Sequence, residues 1–511
     1  MSSVSSLLWK TSVSSYLRTL LRVVLGLVTF RLIYRALPAE DFGFWAMLWS
    51  VFGFGVLADF GLGFATQKRV AELSAQGEWD KLGKVLSTVF VSFCAIGTVI
   101  GLVAWLGQDA LLSLLRVSAE NAVRYRSVTL VFFTGMAIGF PLGIFPEILR
   151  GQQRVSTVNL VACIGLALNF IGVYLAVTHA WSLTVLLAIA LATTIFPDLV
   201  CAVIALRSLP GVRLRPSLFS WETARQTLGF SLVAYLITAT NLVLGKTDQL
   251  VLGTCLSVAS VAIYVAGAKV SEIFALFTRQ LHEVLSPAAA KFNATGDRDG
   301  LRSLLVEGTR ISLIIALPLY VIFAMRLPVF MRLLTGNGTS IEAWWTGEIM
   351  LAWFLTTIAT HSTTKRIFVM TGHERRLLRY GIGEAVANVA LSITMVKLWP
   401  HPASVAVGSI IPTLLFGWLG LWPWAAREAG ISPFALLVRT MSAGMPIALS
   451  VAGSLWVSGR LFGAGDAPSL PAFLVEASIA GLVGLSVAAG LLRDEIRIFR
   501  RRPVAVTPAC S

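Results

Sequence analysis

The chain is predicted to be an all-α polytopic membrane protein of about fourteen transmembrane helices. Two parallel-repeat six-helix lobes surround a central cleft, and a C-terminal helical hairpin follows. Three observations lead there. Of 511 residues, 56% are hydrophobic and 13% charged, with a mean hydropathy of +0.79, too little polar surface for a soluble globule of this size. Many apolar runs reach the roughly 20 residues a helix needs to cross the hydrocarbon core; barrel strands would be about 10 residues of alternating polarity. The chain also repeats itself. Leu37 recurs as Leu256, 219 positions on, and at that offset the stretch LPAEDFGFW is echoed by LSVASVAIY. Ala75, Gly77, Asp80 and Leu82 fall on Ala294, Gly296, Asp299 and Leu301, and Asn169 falls on Asn388. Such self-similarity marks a duplicated structural unit.

Taken in order, the N-lobe (1–206) holds spans at about 16–36, 42–65, 84–107, 127–149, 156–178 and 181–206. A connector, 207–225, is broken by Pro210, Gly211 and Pro216 and is rich in arginine. The C-lobe (226–427) repeats the plan at about 227–253, 258–284, 303–325, 342–366, 377–398 and 403–426. An extra hairpin (428–492) has no counterpart in the first lobe, and a basic tail, 493–511, closes the chain. The opening MSSVSSLLWKTSVSSYLRTL lacks the small-residue exit site of a cleavable signal, so the first apolar run is expected to remain as a helix.

The formal charge of +15 lies in short segments between apolar runs rather than on one polar domain, which reads as topology and not as nucleic-acid binding. Lys68, Arg69, Lys81, Lys84, Arg150, Arg154, the connector, Lys291, Arg298, Arg302, Arg375, Arg376 and Arg379 share one side. Only Arg116, Arg124, Arg126, Arg326, Arg332 and Arg460 fall on the other. Both termini are therefore expected in the cytoplasm. Six spans per lobe make both lobes enter the membrane in the same sense, as parallel repeats. The five cysteines show no paired or metal-ligating spacing, and no GxxxxGK[ST] phosphate cradle is present. The glycosylation-like sequences at Asn293 and Asn337 are read as chance.

Ionisable residues in hydrocarbon need a cavity, a partner or water, so they are the candidates for function. Lys269, Glu272, Arg279 and Glu283 share one face of the eighth span, either lining the cleft or pairing among themselves. The seventh span contributes Thr238, Asn241, Lys246 and Asp248; the aspartate is a helix-end anchor or the partner of an arginine. Arg18, Arg22 and Arg35 are placed to snorkel, whereas Arg31 lies deeper and is the first candidate to grip phosphate oxygens. Asp59 and Asp198 are candidate counter-charges or structural residues. His361 is a titrating relay or an interhelical histidine; Glu307 with Arg310, and Glu384 with Asn388, are helix-neighbour pairs. Cationic walls beside a broad apolar surface suit a large amphiphile with an anionic head.

RALPAEDFGFWAMLWSVFGFGVLADFGLGFA resembles the first turn and second helix of the Wzx-type polysaccharide exporters and lipid-linked oligosaccharide flippases of the multidrug/oligosaccharidyl-lipid/polysaccharide exporter superfamily. DQLVLGTCLSVASVAIYVAGAKV is similar to that family's second-lobe opening, and FPEILRGQQRV and IFVMTGHERRL to its two inner turns. The echo departs in having Ala262 where the first lobe has Gly43. The resemblance spans the whole layout and implies a transporter, not an enzyme. Its substrate would be an undecaprenyl-diphosphate-linked oligosaccharide, moved to the periplasmic leaflet of a bacterial inner membrane by alternating access. Arg31, Lys246, Lys269 and Arg279 would bind substrate, and Asp59, Asp248, Glu272 and His361 would couple or balance charge. No cofactor or metal is implied, and coupling to H+ or Na+ is left open. The implied partners are the polyprenyl-linked glycan, the bilayer, a polysaccharide polymerase and glycosyltransferases. Alternatives are a lipid II flippase, a cation-coupled multidrug exporter, a membrane scaffold and a glycan polymerase.

Overall fold

The computed structural model describes residues 2–115, 117, 119–209, 212, 214–229, 232–336, 340–461 and 470–501. Arg116, Pro210, Gly211, Asn337 and the end of the basic tail lie outside them, as do the side chains of Arg279 and Glu283. All regular structure among the described residues is helical, and the protein is a multi-pass membrane protein. Nine of the described helices are long and apolar enough to cross a membrane. The number is ten if Pro433–Met441 and Gly444–Arg460, bent by 44°, form one span. The count of fourteen rests on the sequence alone.

The first half contains α1 (Ser2–Ala36), α2 (Ala39–Ala58), α3 (Leu62–Gln76), α4 (Trp79–Leu114), α5 (Ala119–Leu142), α6 (Ile144–Gly151), α7 (Val155–Thr178) and α8 (Leu183–Ser208). After α9 (Trp221–Gly229) in the connector come α10 (Leu232–Cys255), α11 (Val258–Ala294), α12 (Arg298–Met325), α13 (Leu327–Thr335), α14 (Ile341–Thr357), α15 (Thr363–Met370), α16 (Glu374–Leu398), α17 (Ser404–Phe416) and α18 (Trp422–Glu428). The 219-residue offset is a structural register. It carries the end of α1 onto the end of α10, and the starts of α2, α4 and α7 onto those of α11, α12 and α16. Gly77 and Gly296, also one offset apart, both hold the left-handed conformation that closes a helix, with φ of 72° and 68°.

The copies differ where they bend. The second span of the first lobe breaks between α2 and α3, whereas α11 runs 37 residues unbroken. The fourth breaks at Gly143, while its counterpart passes through a π-helical turn, Ile358–Ser362. The sixth, α8, is continuous through Pro197, whereas α17 and α18 are joined by a π-helical turn, Gly417–Leu421.

The chain forms two compact units. The first comprises Met1–Val265 with Gly381–Gly408. Its core includes Leu82, Leu86, Ile144, Ile148 and Leu149, all essentially without exposure, and the connector adds Leu209, Val212 and Leu214. The amide of Arg215 donates to Ser87 Oγ (3.1 Å) and that of Ser220 to Thr88 Oγ1 (3.2 Å), fastening the connector over α4. The two echoed turns pack together in this unit. A methyl group on Gly43 would overlap the Val258 carbonyl, so only glycine allows that approach. Nearby, Ser50 donates to the Lys246 carbonyl (2.9 Å) and Tyr235 to that of Leu57 (2.6 Å). Asp41, buried in the first turn, accepts from Arg124 and from Tyr125 Oη (2.7 Å), and Phe44 stacks on the Tyr125 ring at 4.2 Å. The acidic pair of the LPAED turn is thus a clamp onto α5.

The second unit comprises Ala266–Tyr380 with Ser409–Ser511. Phe368, Leu421, Trp422 and Trp424 anchor one core. The extra helices are α19 (Pro433–Met441), α20 (Gly444–Leu461) and α21 (Leu470–Arg501); Leu436 of α19 joins that core, and α20 and α21 pack through Val451, Leu455 and Ala480 onto Ile322 of α12. Arg326, at the end of α12, donates to Glu476 of α21 (2.8 Å) and to the Leu455 carbonyl (2.7 Å), with both charged side chains largely buried.

Candidate functional site

A group of charges in the first unit lies beside the breaks of the second and fourth spans and Pro197 of the sixth. At the first bend Phe60 has φ 48° and Gly61 φ 78°, so the chain turns left-handed between α2 and α3. Asp59 makes this turn tenable, since its Oδ1 accepts from the amide of Gly63 (2.9 Å). Glycine at 63 also makes room. A methyl there would stand 3.1 Å from the Asp59 carboxylate and 3.4 Å from Glu147 Cγ.

Glu147 lies in the first turn of α6, just past the break at Gly143, and pairs with Arg150 one turn on. Asp198 follows Pro197 in α8, within electrostatic reach of Arg150, Glu147 and Arg18. Arg18 is itself held, donating to Asn159 Oδ1 (3.2 Å), whose amide nitrogen donates to Ser14 and Ser15. Asp59, Glu147 and Asp198 line one cavity of about 240 Å³ with Phe52, Phe93 and Phe140. Arg150, paired with Glu147, and Arg18, held by Asn159, are the two guanidinium groups within electrostatic reach of these three carboxylates. When all are ionised one negative charge is in excess, a costly state beside apolar walls. Among the described residues, no three side chains of His, Cys, Asp or Glu are placed to hold a metal ion.

The other predicted residues are dispersed. Arg31 is half-buried on α1. Lys246 is half-buried on α10, its stem across Gly53, where a methyl would come within 3.5 Å of it. Asp248 is buried and accepts from Tyr264 Oη (2.6 Å) and Ser392 Oγ (3.5 Å), tying together α10, α11 and α16. In the second unit Lys269 pairs with Glu272 at 2.7 Å, the internal pair the spacing allows. His361 is buried in the first π-helical turn, 2.6 Å from Thr360 Oγ1. Arg279 lies on the backbone of α11, its side chain outside the described residues.

Sequence reasoning passed over Glu147, Arg150 and Glu476 as site residues. The signal for the first two was the proline-glycine punctuation around them, Pro141, Gly143 and Pro146, which marks a bend rather than a plain span. Nothing in the local sequence of Glu476 points to Arg326, 150 residues away.

A family model described as "Polysaccharide biosynthesis protein" matches residues 32–339, more than half of the chain. No curated protein matches the sequence. Among solved structures, the fold is similar to the lipid II flippase MurJ in an inward closed conformation (TM-score 0.73, 16% identity, covering 95% of this chain and 99% of that one). It is also similar to an inward-facing MATE family multidrug resistance transporter of the MOP superfamily (TM-score 0.68, 15% identity, 81% and 95%). A third likeness is a MOP superfamily transporter from Pyrococcus furiosus, described as having a binding pocket of reverse polarity (TM-score 0.60, 15% identity, 84% and 96%).

Proposed function

From the premise that this chain belongs to the polysaccharide biosynthesis protein family and has the MOP-superfamily fold, we propose that it flips an undecaprenyl-diphosphate-linked oligosaccharide. The direction is from the cytoplasmic to the periplasmic leaflet of a bacterial inner membrane, with both termini cytoplasmic and alternating access as the mechanism. The single observation that carries this reading is the family match joined to a fold likeness covering nearly all of the chain, to a protein whose name is that of a lipid flippase. The cationic residues Arg31, Lys246, Lys269 and Arg279 are the proposed contacts for the diphosphate, since guanidinium and ammonium groups suit phosphoryl oxygens. The six-span lobes, the connector and the extra hairpin keep the boundaries read from the sequence.

Charge coupling is assigned to the first-lobe cavity. Its excess carboxylate is relieved by taking up a proton or a cation, and each uptake changes the charge beside the breaks of two spans and the proline of a third. Asp59 and Asp198 are the predicted counter-charges that lie there, and Glu147 joins them. Asp248, Glu272 and His361 complete the proposed counter-charges.

The decisive measurement is surface glycan in a host lacking its own flippase, together with flipping of the lipid-linked glycan in proteoliposomes. Arg31→Ala with Arg279→Ala should abolish export while protein abundance is retained. Intact export in that variant sinks the cationic path. New glycosidic bonds made by the purified protein would instead point to a polymerase.

A further inference from the structure

The second unit carries a cavity of about 520 Å³ between the turn at 295–297, the turn at 371–373 and the end of α18. The arginine bias assigns this face to the cytoplasm. Arg298, Arg302 and Arg427 stand at its mouth, all exposed, and Leu301, Leu305 and Phe368 form its apolar wall.

The duplication supplies an internal control. At the 219-residue register the first lobe has Trp79, Gly83, Ser208 and Leu209 in place of Arg298, Arg302, Arg427 and Glu428. There the space is filled. Leu209 is buried, Trp79, Val212 and Leu214 pack on the same core, and Ser208 donates to Gln152 Oε1 (2.8 Å). A methyl on Gly83 would touch Val212 at 3.9 Å. In the second lobe the chain turns from α18 into α19 within a few residues, and among the described residues no counterpart of the connector lines the cavity. The matched position has exchanged an apolar plug for three arginines and an open space.

These charges are only partly satisfied from within. Arg302 donates from Nε to the Glu428 carbonyl (3.3 Å) and pairs with Asp299 (3.3 Å). The Glu428 carboxylate accepts from Trp424 Nε1 (3.2 Å) and lies 3.9 Å from His373 Nε2. Among the described residues, neither Arg298 nor Arg427 has an ion-pair partner.

We propose that this cavity binds a phosphoryl-bearing ligand from the cytoplasmic side, with Arg298 and Arg427 gripping the phosphoryl oxygens. Forked guanidinium donors match that geometry, and a pocket of a few hundred Å³ with one apolar wall holds more than a bare anion. The phosphoryl group belongs either to a soluble phosphate ester or to the headgroup of an anionic phospholipid. The site is separate from the proposed flipping path and stands or falls independently of it.

The test uses the full chain in nanodiscs. UDP is titrated in neutral phosphatidylcholine discs, and retention of phosphatidylglycerol after extraction from mixed discs is read by native mass spectrometry. Saturable UDP binding identifies a soluble ester, and retained phosphatidylglycerol identifies a lipid headgroup. In either case Arg298→Gln with Arg427→Gln should weaken binding at least tenfold without lowering the melting temperature. A second variant, Arg298→Trp with Glu428→Leu, restores the plug of the first lobe and should also remove binding. If wild type holds neither probe, or if both variants hold a probe as tightly as wild type, the proposal is overturned.

Discussion

In the first lobe the second span stops at Ala58, turns through Asp59, Phe60 and Gly61, and restarts at Leu62. In the second lobe the matching span runs from Val258 to Ala294 without a stop. Two copies of one plan, in register at these helix ends, thus place their irregularities differently. The first spends them on a left-handed break and carboxylates; the second spends them on two π-helical turns and a buried histidine. Charge follows the same division. The positions matching Asp59, Glu147 and Asp198 are Thr278, Arg366 and Gly417, so the acidic cavity has no acidic twin. The lesson is that a duplication conserves where helices begin while freeing each copy to specialise where they bend.

The largest expected effect tests that division of charge. Glu147→Gln should lower glycan export at least tenfold with protein abundance kept, whereas Arg366→Gln, at the matched position, should change it less than twofold. Equal losses from the two would mean that the lobes share the coupling role. Next comes Gly417→Ala, whose methyl would meet Thr360 Oγ1 at 2.5 Å where the π-helical turns touch. Overpacking of that kind costs about 1–3 kcal/mol and should appear as a lower melting temperature. Gly61→Ala forces a side chain into φ 78° and should cost about 1–2 kcal/mol. The smallest effect is expected at Lys269 and Glu272. That pair is half open to its surroundings, and Glu272→Gln should shift stability by no more than about 0.5 kcal/mol, measured by the same melting series.

Much of the helix register was legible in advance. The echo of LPAEDFGFW by LSVASVAIY fixed the α1–α2 and α10–α11 turns, and the paired Gly77 and Gly296 fixed the next ones. The break at Phe60 was not legible, because a phenylalanine at positive φ is imposed by its surroundings rather than encoded locally, and ADFGLGFA reads as an ordinary glycine-rich span. The π-helical turns carried no local mark either, since they arise from packing such as that of Gly417 against Thr360. Of the acidic cavity, Asp59 and Asp198 were visible as costly charges. Glu147 was not, because it sits in what looked like an inner turn, and only the bend at Gly143 brings it to the other two.

Arg326 has a consequence for the order in which the chain is assembled. Its two acceptors, Leu455 and Glu476, are made 129 and 150 residues later. At about 5–20 residues per second of synthesis, the guanidinium waits roughly 6–26 s for the first of them and about 8–30 s for both. Until then Arg326 lacks both of the acceptors that hold it in the folded unit. The extra helices thus complete this corner of the unit, because the largely buried Arg326 guanidinium gains its carboxylate and carbonyl acceptors only once α20 and α21 are in place.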